Sequence, residues 1–322
     1  MDTQNRKRKP QPQPRRKETT QFFTAGSKPR QQKIIVIIGP TASGKSAFAV
    51  RLAKKINGEI ISADSRQVYQ ELNIGTAKMT TKEMRGIKHY CLDIANPKKT
   101  FTAADFRQAA DKAIEHIRAK EKIPIMVGGT GFYIDTVLYR ATGPDVPPDW
   151  KLRKKLEKES AETLFMRLKK LAPRRAKNID PHNKRRLIRA LEIAKALGKV
   201  PTLKIEPRYE AIIIGLNPPM EALKKRISRR VDIMIRKGLL KETKNLIAQK
   251  IPRRRIAELG FEYRYPLLYL EGKISRDEMR ERIKTETWHY AKRQMTYIKK
   301  ITNVLWAISA TEAKELVDDF LH

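Results

Sequence analysis

Residues 34–46 read Ile34-Ile35-Val36-Ile37-Ile38-Gly39-Pro40-Thr41-Ala42-Ser43-Gly44-Lys45-Ser46. An apolar run passes directly into a stretch that satisfies G-x-x-x-x-G-K-[ST] at every fixed position. Glycines at 39 and 44 permit backbone conformations that a Cβ would forbid, so consecutive N–H groups can converge on an anion. The following "SAFAVRLAKKI" has helical spacing, and the helix N-terminus adds positive potential to the same point. Lys45 is placed to reach an outer phosphate, and the Ser46 hydroxyl to ligate Mg²⁺. The whole of Gly39, Pro40, Thr41, Ala42, Ser43, Gly44, Lys45 and Ser46 is therefore the candidate phosphate loop. Nothing in it says which polyphosphate is held or which bond breaks.

Working outward, four short apolar runs read as core strands: Ile34–Ile38, Glu59–Ser62, Ile123–Val127 and Ala211–Gly215. Helical stretches lie between and after them, notably Ala47–Ile56, Ala103–Lys120, Glu221–Lys237 and Arg276–Ile298. Strand alternating with helix predicts an α/β protein with a P-loop-type parallel sheet flanked by helices. The texture changes at "ATGPDVPPDW" (141–150), a Pro-rich joint, after which Lys151–Leu197 is charged with helical period. The expected organisation is a disordered basic arm (1–32), a first part of the core (33–140), and a small helical insertion domain (141–207). The chain then returns to the core and ends in a helical C-terminal part (208–322).

The 322 residues are 40% apolar, enough for a substantial core, yet carry a formal net charge of +35. Residues 1–33 hold ten Lys/Arg against two Asp/Glu, so most of the surplus lies in the folded part. The insertion alone has eighteen basic residues against eight acidic. This balance points to a polyanionic partner far larger than a nucleotide, namely nucleic acid. Cys91 is the only cysteine and the five histidines are scattered, which disfavours a disulfide framework or a cysteine–histidine metal cluster. No apolar run approaches the ~18 residues of a membrane span, and the N-terminus lacks the apolar core of a signal peptide. A cytoplasmic protein without membrane association is the expectation.

Motor-type hydrolysis fits poorly. "IPIMV" ends in Gly128-Gly129-Thr130-Gly131, with a hydroxyl where an ATPase or GTPase usually places a carboxylate. "NKRR" at 183–186 lacks the Asp of a guanine-reading motif. A kinase remains possible, although a small-metabolite kinase has no need of so basic a body. Asp64 and Ser65 follow the second strand and should project near the phosphate loop. From the residues alone Asp64 is a helix N-cap, a magnesium ligand or a general base.

"GPTASGKS", "ISADSRQVYQELNIGTAK", "HYCLDIANPKKTFTAADF", "PIMVGGTGFYI", "DPHNKRRLIRALEI" and "AKRQMTYIKK" occur in that order. Together they resemble the tRNA dimethylallyltransferase (isopentenyltransferase) family over roughly residues 34–300. The resemblance implies transfer of a dimethylallyl group from dimethylallyl diphosphate to N6 of the adenosine 3′-adjacent to the tRNA anticodon, with diphosphate leaving. It makes the anticodon stem-loop of tRNA the partner; Mg²⁺, from the phosphate-loop motif, is the expected cofactor, and a monomer is the expected state. It assigns Asp64 as base, Thr130 as a group at the reaction centre, and Arg230 (with Arg226 as fallback) as a cation on the leaving group. It places tRNA contacts at Asp64, Ser65, Arg66 and Gln67; at Arg185, Arg186, Leu187, Ile188 and Arg189; at Ile256, Ala257, Glu258, Leu259, Gly260 and Phe261; and at Lys292, Arg293, Gln294, Met295, Thr296, Tyr297, Ile298 and Lys299. Two alternatives stand beside it, a P-loop kinase and an isopentenyltransferase acting on free adenylate. Glu258, Phe261 and Tyr297 depart from the family's usual residues. An adenine amine stacked in an RNA loop cannot enter a deep pocket, so the base must be turned out.

Overall fold

The structure, a computed structural model, describes residues 32–139, 146–201, 206–307 and 309–321. Among them, β1 (Lys33–Ile38), β2 (Gly58–Ala63), β3 (His89–Tyr90), β4 (Ile123–Gly128), β5 (Glu210–Gly215) and β6 (Val304–Trp306) form one sheet, in the order β3-β2-β4-β1-β5-β6. Every pairing is parallel. The first half of the chain adds α1 (Lys45–Lys55), α2 (Thr81–Met84), α3 (Ala103–Arg118) and α4 (Gly131–Leu138). Next come α5 (Trp150–Leu156), α6 (Ala161–Leu171), α7 (Pro173–Ala176) and α8 (Lys184–Leu197). After β5 follow α9 (Met220–Arg236), α10 (Leu239–Ala248), α11 (Arg253–Leu259), α12 (Phe261–Leu270), α13 (Arg276–Ile298) and α14 (Ala310–Leu321).

The continuous apolar run of β1 is explained by helices on both faces of the sheet. Side chains alternate across a strand, so Ile34, Val36 and Ile38 enter the larger core with α3, α4 and the α9–α13 helices, while Ile35 and Ile37 enter the other. That second core holds Phe48 and Leu52 of α1 with Val317 and Phe320 of α14. The parallel α/β architecture agrees with the expectation, and the four expected strands are present.

Two strands escaped sequence reading. His89–Tyr90 has two residues and Val304–Trp306 three, too short for a period, and the chain after Pro219 read as helices throughout. Val304, Leu305 and Trp306 are placed by pairing with Ile213, Ile214 and Gly215 of β5, a tertiary effect. Helix α1 also begins two residues before the expected Ala47, at Lys45 inside the phosphate loop.

Helices α5–α8 bury Leu156, Leu164, Leu168, Leu187 and Leu191 in a core of their own. Glu192 of α8 is buried there and accepts from Arg153 Nε and Nη2 at 2.9 and 2.7 Å and from the Asp149 N–H at 2.6 Å, tying α5 to α8. The arm expected at 1–32 lies outside the described residues except for Gln32, as does the Pro-rich joint up to residue 145.

Register positions the site. Ile38 pairs with both Gly128 and Gly215, and Ala63 also pairs with Gly128. The segments beginning at Gly39, Asp64 and Gly129 therefore leave the sheet at one level, at the carboxyl edge where α/β proteins bind ligands.

Candidate active site

The phosphate loop is built as its residues dictate. Ala42 and Gly44 take left-handed φ values of 62° and 93°, and Gly44 caps α1. The Ser43 N–H closes the turn onto the Pro40 carbonyl at 3.2 Å. Lys45 Nζ donates to the Pro40 carbonyl at 3.3 Å, folded back over the loop. Burial pulls Lys45 down from 10.5 to about 8; the negative charge of Asp64 opposes this and the positive charge of Arg230 adds to it. A cation so desolvated is stabilised by an incoming anion. The Ser43 hydroxyl is buried with no hydrogen-bond partner among the described residues.

Of the three readings of Asp64, the structure shows capping. Its Oδ1 accepts from the N–H groups of Arg66 and Gln67 at 2.9 and 3.3 Å, capping a turn rather than a helix. No hydrogen bond engages Oδ2 among the described residues, and the side chain lines the same cavity as Thr41, Lys45, Ser46, Arg230 and Tyr290. One oxygen orients the carboxylate, leaving the other for chemistry.

Thr130 sits beside it. The Thr130 Oγ1 accepts from the Ser65 N–H at 3.2 Å, and its own N–H donates to the Ala63 carbonyl at 3.3 Å. Arg230 of α9 lines the cavity and donates from Nη2 to the Thr76 carbonyl at 3.5 Å. Burial lowers its guanidinium from the ordinary value, opposed by Asp64 and Glu262. Arg226, the fallback, is exposed and reaches the Ser43 carbonyl at 3.4 Å. Glu262, facing Arg66, Arg230 and Asp64, is pushed up to about 7 by desolvation. Burial and the charge of Asp64 raise the Tyr290 phenol, with Thr130 acting in the other direction.

No group of three or more His, Cys, Asp or Glu among the described residues could hold a metal by itself. The Ser46 hydroxyl that lines the cavity is a hard oxygen donor of the kind that suits Mg²⁺. A cavity at a sheet edge that combines a phosphate loop, a carboxylate and a hydroxyl can hold a polyphosphate beside a group able to accept a proton.

The family model for IPP transferase matches residues 67–301. A tRNA dimethylallyltransferase of Acetivibrio thermocellus is 44% identical over 283 residues, covering 85% of this chain and 90% of that protein. The chain belongs to this family. The crystal structure of full-length tRNA isopentenylpyrophosphate transferase from Bacillus halodurans is similar with a TM-score of 0.68 at 36% identity, over 90% of this chain and 96% of that one. A eukaryotic dimethylallyltransferase captured acting on tRNA gives 0.79 at 30% identity, over 90% and 79% of the two chains.

Set out on the IPP transferase fold, the candidate RNA residues fall into three groups. Arg185, Arg186, Lys292, Arg293, Thr296 and Lys299 are exposed, the cations among them able to meet a polyanion, whereas Glu258 is exposed but anionic and paired with Arg254. Leu187, Ile188, Ile256, Leu259, Met295 and Ile298 are buried among core neighbours, so their side chains hold the helices together instead of touching RNA. The remainder are occupied within the protein. Arg66 Nη1 donates to the Glu258 carbonyl at 2.8 Å, joining the Asp64 turn to α11. Gln67 accepts from the Ser62 hydroxyl at 3.1 Å and donates to the Thr76 carbonyl at 3.2 Å. Arg189 pairs with Glu192 and donates to the Val146 carbonyl at 2.8 Å. Gly260 starts α12, Ala257 and Ser65 are half-buried, and Phe261 meets the edge of Tyr290 with ring centroids 6.4 Å apart. Gln294 and Tyr297 turn toward the catalytic loops.

Sequence reasoning missed Thr76, Glu262 and Tyr290 as parts of the site. Thr76 acts through a backbone carbonyl, which no side-chain motif reports. Tyr290 lies in a helical stretch with no motif to mark it, yet it lines the cavity.

Proposed function

We propose that this protein transfers a dimethylallyl group from dimethylallyl diphosphate to the exocyclic N6 of the adenosine next to the tRNA anticodon, as a cytoplasmic monomer using Mg²⁺. The observation that carries it is the single cavity lined by both the phosphate loop and Asp64. A phosphate loop alone serves many reactions, and a carboxylate facing it with one oxygen free suits a nucleophile that must lose a proton. The amine is weakly nucleophilic because its lone pair is delocalised into the purine. Asp64 Oδ2 accepts the proton as the N6–C bond forms, while the C–O bond to diphosphate breaks. Lys45, the loop amides and Arg230 stabilise the negative charge gathering on the leaving diphosphate. Ser46 would hold Mg²⁺, which would add charge neutralisation at the leaving diphosphate.

The test is nucleoside analysis of tRNA after incubation with enzyme, Mg²⁺ and dimethylallyl diphosphate, with free AMP in a parallel reaction. Isopentenyl-adenosine in tRNA and none on AMP is expected; ATP cleavage with unmodified RNA would overturn the reading. Asp64→Asn retains an oxygen to cap the turn but loses its basicity. It is expected to reduce turnover by roughly 10²–10⁴-fold, with tRNA affinity within a few-fold of wild type. Equal loss of binding and rate would make Asp64 a docking residue.

A further inference from the structure

Helix α13 carries two unlike faces. Lys292, Arg293, Thr296 and Lys299 are exposed, whereas Gln294 is buried and uses both ends of its amide. Gln294 Oε1 accepts from the Thr41 N–H of the phosphate loop at 2.7 Å, and its Nε2 donates to the Gly129 carbonyl at 2.9 Å. Three residues further on, Tyr297 Oη donates to the Gly131 carbonyl at 3.1 Å. Both neighbours of Thr130 are thus held by side chains one turn apart on one helix. The contact is close: a Cβ on Gly129 would lie 2.0 Å from Gln294 Nε2, and one on Gly131 1.9 Å from the Tyr297 ring. The glycines on either side of Thr130 are what allow α13 to approach.

We propose that Gln294 is a positioning residue for prenyl transfer, setting the separation between the diphosphate loop and Thr130 and making no contact with RNA. The proposal rests on the dimethylallyl-transfer reading of the cavity. An amide is suited to the task because it offers a donor and an acceptor on one rigid plane. A carboxylate lacks the donor, and an ammonium lacks the acceptor. Donors around a developing charge act only if they are in place before the charge appears, and small displacements of such groups reduce rate steeply. Gln294 joins two loops that meet different parts of the substrate, so losing it affects the transition state more than the binding of either substrate.

The experiment compares full-length wild type with Gln294→Met, which keeps the side-chain length without polar atoms, and Gln294→Glu, which keeps only the acceptor. Prenyl transfer to an anticodon stem-loop RNA is measured at saturating substrates, and RNA affinity is measured separately without diphosphate. Gln294→Met is expected to lower kcat by roughly 30-fold and Gln294→Glu by a smaller factor, with RNA Kd within about twofold of wild type. On a Thr130→Ala background, Gln294→Met is expected to cost less than about threefold more, because the residue acts through Thr130. A tenfold weakening of RNA binding with kcat unchanged, or fully additive losses in the double variant, would overturn the proposal. Wild-type protein inactive on the RNA would overturn the underlying reading as well, and shows separately from the variant ratios.

Discussion

Single residues in this site do two jobs, and the sequence shows only one of them at a time. "GPTASGKS" could be read directly because it works through backbone conformation at fixed spacing. Asp64 stays open in sequence because capping and base chemistry select the same residue type; in the structure Oδ1 does the capping. Lys45 leads to a pH prediction. Its folded-state value of about 8 lies below the ordinary 10.5, so the folded protein holds this proton less tightly than the unfolded chain does. Its contribution to stability is therefore complete above the unfolded value and is lost as pH falls through 8; at neutral pH the full cost is present. Lys45→Met is expected to stabilise the ligand-free protein at neutral pH by about 1–2 kcal/mol, allowing for solvent screening, and to weaken diphosphate binding more than about tenfold. Thermal melts should show the gain shrinking toward alkaline pH. An equal gain at both ends of the range would mean that packing, not charge, is responsible.

At the scale of elements, long periodic segments were legible and short ones were not. The expected bounds of α13, Arg276–Ile298, coincide with the observed helix, since the Ser275 cap and 23 residues of pattern define it locally. The loop 73–76 has no such pattern and is held by α10. Buried Glu242 accepts from the N–H groups of Asn73, Ile74 and Gly75 at 3.0, 2.7 and 3.0 Å, and from the Tyr263 hydroxyl at 2.8 Å. The next residue, Thr76, offers its carbonyl to Gln67 and Arg230, so this carboxylate reaches the site through the loop. Glu242→Ala leaves four donors without their acceptor and is expected to destabilise the protein by about 3 kcal/mol in urea titrations. Turnover should fall as Arg230 loses its anchor, and a change below about 1 kcal/mol would show the loop to be held by other contacts.

For the whole molecule, charge and topology set the partner and the place where it meets the chemistry. A formal charge of +35, with exposed cations on α8 and α13, predicts that tRNA affinity falls at least tenfold between about 50 and 200 mM salt. A flat response in filter binding would remove the electrostatic argument. Local sequence was sufficient for the phosphate loop, the alternating α/β plan, the basic balance and the family blocks, because each is written in short-range spacing or in composition. Long-range contacts decided the rest. Parallel pairing brought Asp64 and Thr130 level with Lys45, burial enclosed several of the expected RNA side chains, Leu187 and Ile256 among them, and one face of α13 was turned toward the phosphate loop and Thr130. These outcomes depend on which surfaces meet when the apolar faces are buried together, and no stretch of the chain encodes that alone.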